Sequence, residues 1–224
     1  TDTANSARSW TSLQASASGA SFTGISDLTL TATDIAVQIN QATRAQDTVI
    51  DSVVAPLRVA TGTGSYTDLK LDGKQGQRLS ASANVTLDAF GFVQLQGGLA
   101  IDKSTESVIL SGDSTGTSVD MLRLGATGLS AFAGINGAMA ARTGLSLSGL
   151  DLGLAIMTEK VANAPRRWLS LEASAASAAF VGVTDLTVGV SNAALSINRA
   201  SADGKVGDYS AGKTALSIAT SRST

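Results

Sequence analysis

Two stretches of the chain decide how it folds: Trp10–Asn40, WTSLQASASGASFTGISDLTLTATDIAVQIN, and Trp168–Asn198, WLSLEASAASAAFVGVTDLTVGVSNAALSIN. They align without a gap at an offset of 158 residues, and 15 of the 31 positions are identical. Self-similarity at a fixed period is the sequence mark of a repeat protein. We therefore divide the chain into one full long β repeat, residues 1–157, and the start of a second, truncated copy, residues 158–224, which we expect to pack on the first.

Side-chain alternation indicates that both copies are built of strands. In Leu171–Ala175 and again in Ser146–Leu150, apolar residues occupy every second position or nearly so, which is the period of a half-buried strand. Gly-containing dipeptides that suit hairpin turns punctuate the chain at Asp72-Gly73, Asn136-Gly137 and Asp203-Gly204. Helical spacing is not sustained, and the best helix candidate is the polar stretch 41–54. We expect charges to concentrate in the turns.

The composition predicts a thin core. Ala, Ser, Thr and Gly together make 112 of the 224 residues, yet 43% of the chain is hydrophobic. Small side chains bury little area each, so stability must come from backbone ladders and from contacts between neighbouring units. The predicted fold is all-β, an elongated β-solenoid-like stack of antiparallel hairpins or strands. Two β-sandwich domains are the alternative.

The same composition excludes several classes of function. The chain has no His and no Cys, which removes the usual zinc sites, Ser-His-Asp and Cys-His nucleophile pairs, and disulfides. The net charge of -2 gives a nucleic-acid partner no electrostatic support. No apolar run approaches the roughly 20 residues of a membrane span. We predict no catalytic, cofactor-binding or metal-binding residue, and we expect that the chain is not an enzyme.

Three local patterns contain the residue types of a possible site. Residues 207–214 match the phosphate-loop pattern Gly-x4-Gly-Lys-Thr, but a strand-like segment follows where that loop requires a helix. Trp10 and Trp168 each lie within two residues of an arginine, which predicts a guanidinium stacked on the indole. Asp27 and Asp185 recur in Asp-Leu contexts that suggest hydrogen bonds to backbone amides at the start of a strand.

A family resemblance rests on the aligned pair and on two shorter echoes. Phe-x-Gly-Ile/Val recurs at Phe22, Phe132 and Phe180, and Asp-Leu-x-Leu/Val recurs at 27–30, 68–71, 151–154 and 185–188. With the Ala/Ser/Thr/Gly bias and the absent Cys, these features resemble tandem β-rich repeat modules of very large bacterial secreted or cell-surface proteins, of the adhesin-like or RTX-like giant repeat kind. The calcium loops typical of many such proteins are missing from this sequence.

The resemblance implies an extracellular or cell-surface location and a structural role, as a repeat segment of a bacterial fibre, stalk or adhesin. Its expected partners are neighbouring copies of the same repeat, and a glycan or surface is a further candidate. One alternative is a glycan- or surface-binding module, and another is a polysaccharide-acting β-helix enzyme. The chain begins at Thr1 without a signal peptide, so we expect it to be a piece of a longer protein.

Overall fold

The structure is a computed structural model that describes residues 8–44 and 47–210. It contains ten strands and a short 3-10 helix at Gly73–Gln75, between the fourth strand and the fifth. The strands are β1 (Trp10–Phe22), β2 (Leu28–Ala42), β3 (Leu57–Gly62), β4 (Ser65–Leu69), β5 (Arg78–Ala89), β6 (Val93–Ile109), β7 (Gly116–Ile135), β8 (Thr143–Glu159), β9 (Arg167–Val181) and β10 (Val188–Arg199).

Eight of these strands form one antiparallel sheet in the order β1-β2-β5-β6-β7-β8-β9-β10, and β3 and β4 form a separate hairpin. Every strand of the sheet pairs with its neighbour along the chain, apart from the inserted hairpin. The all-β prediction is therefore confirmed. In the described part of the chain the strands lie in this single sheet and its hairpin, rather than in the two facing sheets that a pair of sandwich domains would need.

Two sequence expectations about local structure are wrong. The predicted helix at 41–54 is absent from its described residues, because β2 continues to Ala42 and residues 47–54 are irregular. The expectation that charges concentrate in the turns fails at 103–106, where Lys103 and Glu106 lie inside β6 and pair with β7. Charges are thus not confined to turns, since partners on adjacent strands neutralise them.

The hairpins β1–β2 and β9–β10 share their internal geometry. Leu13 pairs with Ile39 in the first and Leu171 with Ile197 in the second, which is the same register at the 158-residue offset. Asp27 and Asp185 have φ of 60° and 63°. These two aspartates thus share a left-handed backbone position before the strand, whereas a side-chain bond to backbone amides was expected.

The main buried cluster lies at one end of the sheet, where the segment 205–210 packs against it. A bridge pairs Leu110 with Gly207, and the Asp208 N–H donates to the carbonyl of Ile109 at 2.8 Å. The buried side chains of this cluster are Val108, Leu110, Val119, Met121, Ala155, Met157 and Trp168.

A second buried group lies where the chain from 47 to 72 folds back over β1 and β2. Leu71 is fully buried, and the Ser52 hydroxyl both donates to the carbonyl of Leu69 and accepts from the N–H of Leu71, each at 2.9 Å. The Lys70 N–H donates to the side chain of Gln14 on β1 at 3.1 Å. These bonds fix the β3–β4 hairpin beside the sheet. In the described residues we find no helix with the length and apolar character needed to cross a membrane.

Candidate functional sites: two faces of one sheet

The two faces of the sheet differ in chemistry. Residues that pair across antiparallel strands point to the same side, so the registers assign every side chain to a face. One row of paired positions joins Ala81, Ile101, Leu124, Leu154, Leu171 and Ile197. The next row joins Ala83, Leu99, Ala126, Leu152, Ala173 and Leu195. We call the side that carries these rows the apolar face.

Bulges keep the apolar face continuous. In β2 its residues are odd-numbered from Ile35 to Ile39 but even-numbered at Leu28 and Leu30. The change of phase occurs at Asp34, whose φ is 52°. In β7 the same change occurs at Gly128, with φ of 58°. An extra residue in a left-handed conformation re-aims the strand, so the apolar rows from Ile101 to Val93 stay on one face across each bulge.

The apolar face lies open in the described part of the chain. Leu145 is 56% exposed and Leu195 is 52% exposed, although both are large and aliphatic. The elements in substantial contact are neighbouring strands of the sheet, the two strands of the hairpin, and β4 with β1. The hairpin meets β1 through Gln14, which points to the opposite face. Contiguous apolar patches larger than about 300–600 Å² are rare on monomers and mark binding surfaces.

The opposite face carries the main buried cluster with Met121, Met157 and Trp168 at one end. Beside that cluster it is polar and has a group of charged side chains. Asp102 on β6 bonds to Arg78 on β5 and lies 3.4 Å from Nε of Arg123 on β7. Arg123 also contacts Glu106, and it donates to the hydroxyl of Ser104 at 2.8 Å. Burial lowers the pKa of Arg123, and the charge of Asp102 opposes that shift. The charged cluster holds three strands together by charge and engages both carboxylates with arginines.

A depression of about 1140 Å³ opens on the polar face above β8, β9 and β10. Asp151, Glu172 and Ser196 line it, and Tyr209 closes one end. The Tyr209 hydroxyl is 2.6 Å from the hydroxyl of Ser170, and burial raises the pKa of Tyr209. The depression thus offers hydroxyls and carboxylates to a polar ligand.

The carboxylate of Asp151 is engaged in hydrogen bonds that stabilise the bulge in β7. It accepts from the N–H of Gly128 at 2.9 Å and from the hydroxyl of Thr127 at 2.8 Å, across the bulge in β7. The Gly128 N–H, followed by the Thr127 hydroxyl, lowers the pKa of Asp151. A carboxyl with a lowered pKa is ionised near neutral pH and is a poor proton donor. The depression therefore favours binding over acid catalysis.

A smaller depression of about 460 Å³ lies between the polar face of β1, β2, β5 and β6 and the β3–β4 hairpin. Gln14, Gln38 and Ser80 line it from the sheet, and Asp68 lines it from the hairpin. On the hairpin, Arg58 bonds to Asp68 at 3.0 Å and stacks on the ring of Tyr66, 5.5 Å from its centroid. The Arg58 hydrogen bond lowers the pKa of Asp68.

The two tryptophans occupy matching environments. Arg8 lies 5.2 Å from the ring centre of Trp10, and Arg166 lies 5.1 Å from that of Trp168, so the predicted stacking is confirmed. Each indole N–H donates to a backbone carbonyl: Trp10 to Thr48 at 2.9 Å and Trp168 to Lys205 at 3.0 Å. Indoles that are stacked and hydrogen-bonded in this way serve the packing of the fold.

The sequence named no catalytic, cofactor-binding or metal-binding residue. Among residues 8–44 and 47–210, no group of three or more Asp and Glu side chains is arranged to hold a metal ion. The phosphate-loop match at 207–214 lies partly outside the described residues. Sequence reasoning missed the apolar face. The signal for it was present in the alternation, but the bulges change its phase within the strands.

No protein-family model, curated protein or solved structure matches this chain.

Proposed function

We propose that this chain is a structural repeat segment of an extracellular bacterial fibre, stalk or adhesin, without catalytic activity, and that it works by extending a sheet. The observation that supports the proposal is the position of β9. This first strand of the second copy pairs with β8, the last strand of the first copy. Its hairpin with β10 has the same register as β1–β2. Successive copies then add strands edge to edge, and each copy is stabilised by contacts with its neighbours, as in a solenoid-like stack.

The proposal sets a length per copy. One copy contributes six strands to the main sheet, β1, β2 and β5 to β8. Neighbouring strands lie about 4.8 Å apart, so each added copy lengthens the sheet by about 29 Å. The partners are neighbouring copies of the same repeat, and the expected location is extracellular or at the cell surface.

The test compares this chain with chains that carry one or two extra copies of residues 1–157 inserted before residue 158. Small-angle X-ray scattering measures the maximum dimension of each, and negative-stain electron microscopy shows its outline. We expect the width of the sheet across its strands, measured in the micrographs, to grow by about 29 Å per copy, and the maximum dimension from scattering to grow with every copy. Separate folded domains joined by flexible linkers, whose overall size does not grow in proportion to the number of copies, would contradict the proposal.

The alternative function is a glycan- or surface-binding module, and the depression beside Tyr209 is the observation that favours it. Glu172, Ser196 and Tyr209 line this depression, and carboxylate and hydroxyl groups of this kind can form hydrogen bonds with the hydroxyls of a sugar. Titration with labelled neutral and acidic oligosaccharides tests this alternative. Binding that is lost in Glu172→Gln and Tyr209→Phe, but kept in Asp120→Asn at the far end of the other face, would support it.

The second alternative, a polysaccharide-acting β-helix enzyme, gains little support from this site. Such an enzyme needs a protonated carboxyl beside a second carboxylate. The Asp151 carboxyl instead has a lowered pKa and is bonded to the β7 bulge.

A further inference from the structure

One row of the apolar face is corrugated. In the row from β5 to β10, small and large side chains alternate strand by strand: Ala83, Leu99, Ala126, Leu152, Ala173, Leu195. The pair Ala17 and Ile35 on β1 and β2 continues this row across the bulge of β2. The sheet therefore presents ridges of Leu or Ile separated by troughs of Ala at this level.

This row is self-complementary under one symmetry. A two-fold axis that runs along the boundary of β6 and β7 would bring β6 of one copy over β7 of the other, β5 over β8, β2 over β9 and β1 over β10. In the row of Ala83, each pair of facing strands sets a large residue of one copy against a small residue of the other. Ala83 meets Leu152, Leu99 meets Ala126, and Leu195 meets Ala17. Sheets that pack face to face interdigitate in this way at about 10 Å separation.

The area is large enough for a stable dimer. Five successive rows of the face, from the row of Ile101 to that of Val93, carry only apolar residues. Four of them cross all eight strands, and the row of Val93 crosses seven because β1 ends at Phe22. At about 6.8 Å between rows and 4.8 Å between strands, these rows cover roughly 1,300 Å². Two copies would bury roughly 2,600 Å², within the range of obligate homodimers.

We propose that the apolar face binds the apolar face of a second copy of this chain, and that the product is a two-layered sandwich related by a two-fold axis along the β6–β7 boundary. The alternation in the row of Ala83 favours this occupant over hydrocarbon chains, because a fluid acyl chain has no need of alternating large and small side chains. The inference is independent of edgewise extension, which uses the backbone edges of the sheet.

The decisive test exchanges a ridge and a trough. Ala83→Leu alone sets leucine against Leu152 of the second copy, and Leu152→Ala alone leaves a cavity there. We expect each single variant to raise the dimer dissociation constant by about tenfold or more. The double variant restores one large and one small residue at that contact. Its dissociation constant should return to within about threefold of that of the unaltered chain. Analytical ultracentrifugation gives these values, and circular dichroism reports on folding.

A second pair of variants separates loss of the dimer from misfolding of the monomer. Leu195 is 52% exposed in the single chain, so Leu195→Glu should leave the monomer folded and abolish the dimer. Ser196→Glu places the same charge on the polar face of the same strand and should leave the dimer intact.

Three outcomes would overturn the inference. The chain could stay monomeric at all accessible concentrations. It could form a dimer that is indifferent to Ala83→Leu, Leu152→Ala and Leu195→Glu, which would indicate pairing through strand edges. It could be purified as a monomer with acyl lipid, identified by organic extraction and mass spectrometry, and such a result would assign the face to lipid. None of the three bears on the length increment per copy.

Discussion

Asn40 donates from its side-chain amide to the carbonyl oxygen of Ile50 at 2.7 Å, and its own oxygen lies 3.3 Å from the hydroxyl of Ser12. At the 158-residue offset, Asn198 bonds to the carbonyl of Gly207 at 2.9 Å and its oxygen lies 3.2 Å from the hydroxyl of Ser170. In both places one asparagine ties a hairpin to the segment that follows it. We call this arrangement the asparagine clamp.

The clamp predicts an asymmetric effect of mutation. Asn40 is 3% exposed, whereas Asn198 is exposed. Asn40→Ala leaves the carbonyl of Ile50 without its donor inside the fold, which costs about 1–3 kcal/mol. Asn198→Ala should cost less, because water replaces the amide there. Urea unfolding of both variants measures the two free energies. Equal losses would show that burial does not decide the strength of the clamp.

The two tryptophans should likewise differ. Trp168 is 2% exposed and belongs to the main buried cluster, whereas Trp10 is only partly buried. Trp168→Ala should lower the free energy of unfolding by about 3–5 kcal/mol, and Trp10→Ala should lower it by clearly less. Denaturant titration followed by circular dichroism makes the comparison independent of the lost fluorophore. A larger loss for Trp10 would contradict the placement of the core.

The bulge of β7 makes Gly97 essential to packing. A Cβ at this residue would lie 2.7 Å from the Cα of Leu129, and its φ of 153° is rarely adopted by other residues. Gly97→Ala should therefore destabilise the fold by about 1–3 kcal/mol. The control is Gly19→Ala in β1, where a Cβ would lie an ordinary 3.4 Å from the carbonyl oxygen of Ala32. We expect a change within about 0.5 kcal/mol there.

The Arg166 network should make stability depend on pH. Its guanidinium bonds to Glu159 at 2.6 Å and to Asp203 at 2.7 Å, and these bonds lower the pKa of both carboxyls. The unfolded chain then binds more protons than the folded chain in mild acid. The stabilisation is complete above the ordinary carboxyl pKa of about 4 and is lost as pH falls through the lowered folded values.

Urea midpoints measured from about pH 6 down to pH 2 test this dependence. Arg166→Gln should flatten the acid slope of the wild-type curve. The exposed neighbour is the control, because Arg167→Gln removes the same charge and should keep the slope. Parallel curves for wild type and Arg166→Gln would refute the assignment.

Much of the candidate site escaped prediction for a geometric reason. The strand character of both copies followed from alternation, and the stacking of Arg8 on Trp10 followed from their two-residue separation. The apolar face did not follow, because the phase of alternation changes at residues such as Asp34 and Gly128, and a fixed period then places later residues on the wrong side. The charged cluster was also missed, since Arg78, Asp102 and Arg123 are more than 20 residues apart and meet only across paired strands.

The sequence by itself determined what is local or repeated. It set the strands, the turns, the 158-residue period and the small-residue composition, because each depends on neighbours in the chain or on comparison of one stretch with another. Only the tertiary structure decided the sheet order, the placement of the hairpin beside β1, and the division into a polar and an apolar face. Those features depend on registers between distant strands. A single extra residue in a left-handed conformation moves every side chain beyond it to the other side of the sheet.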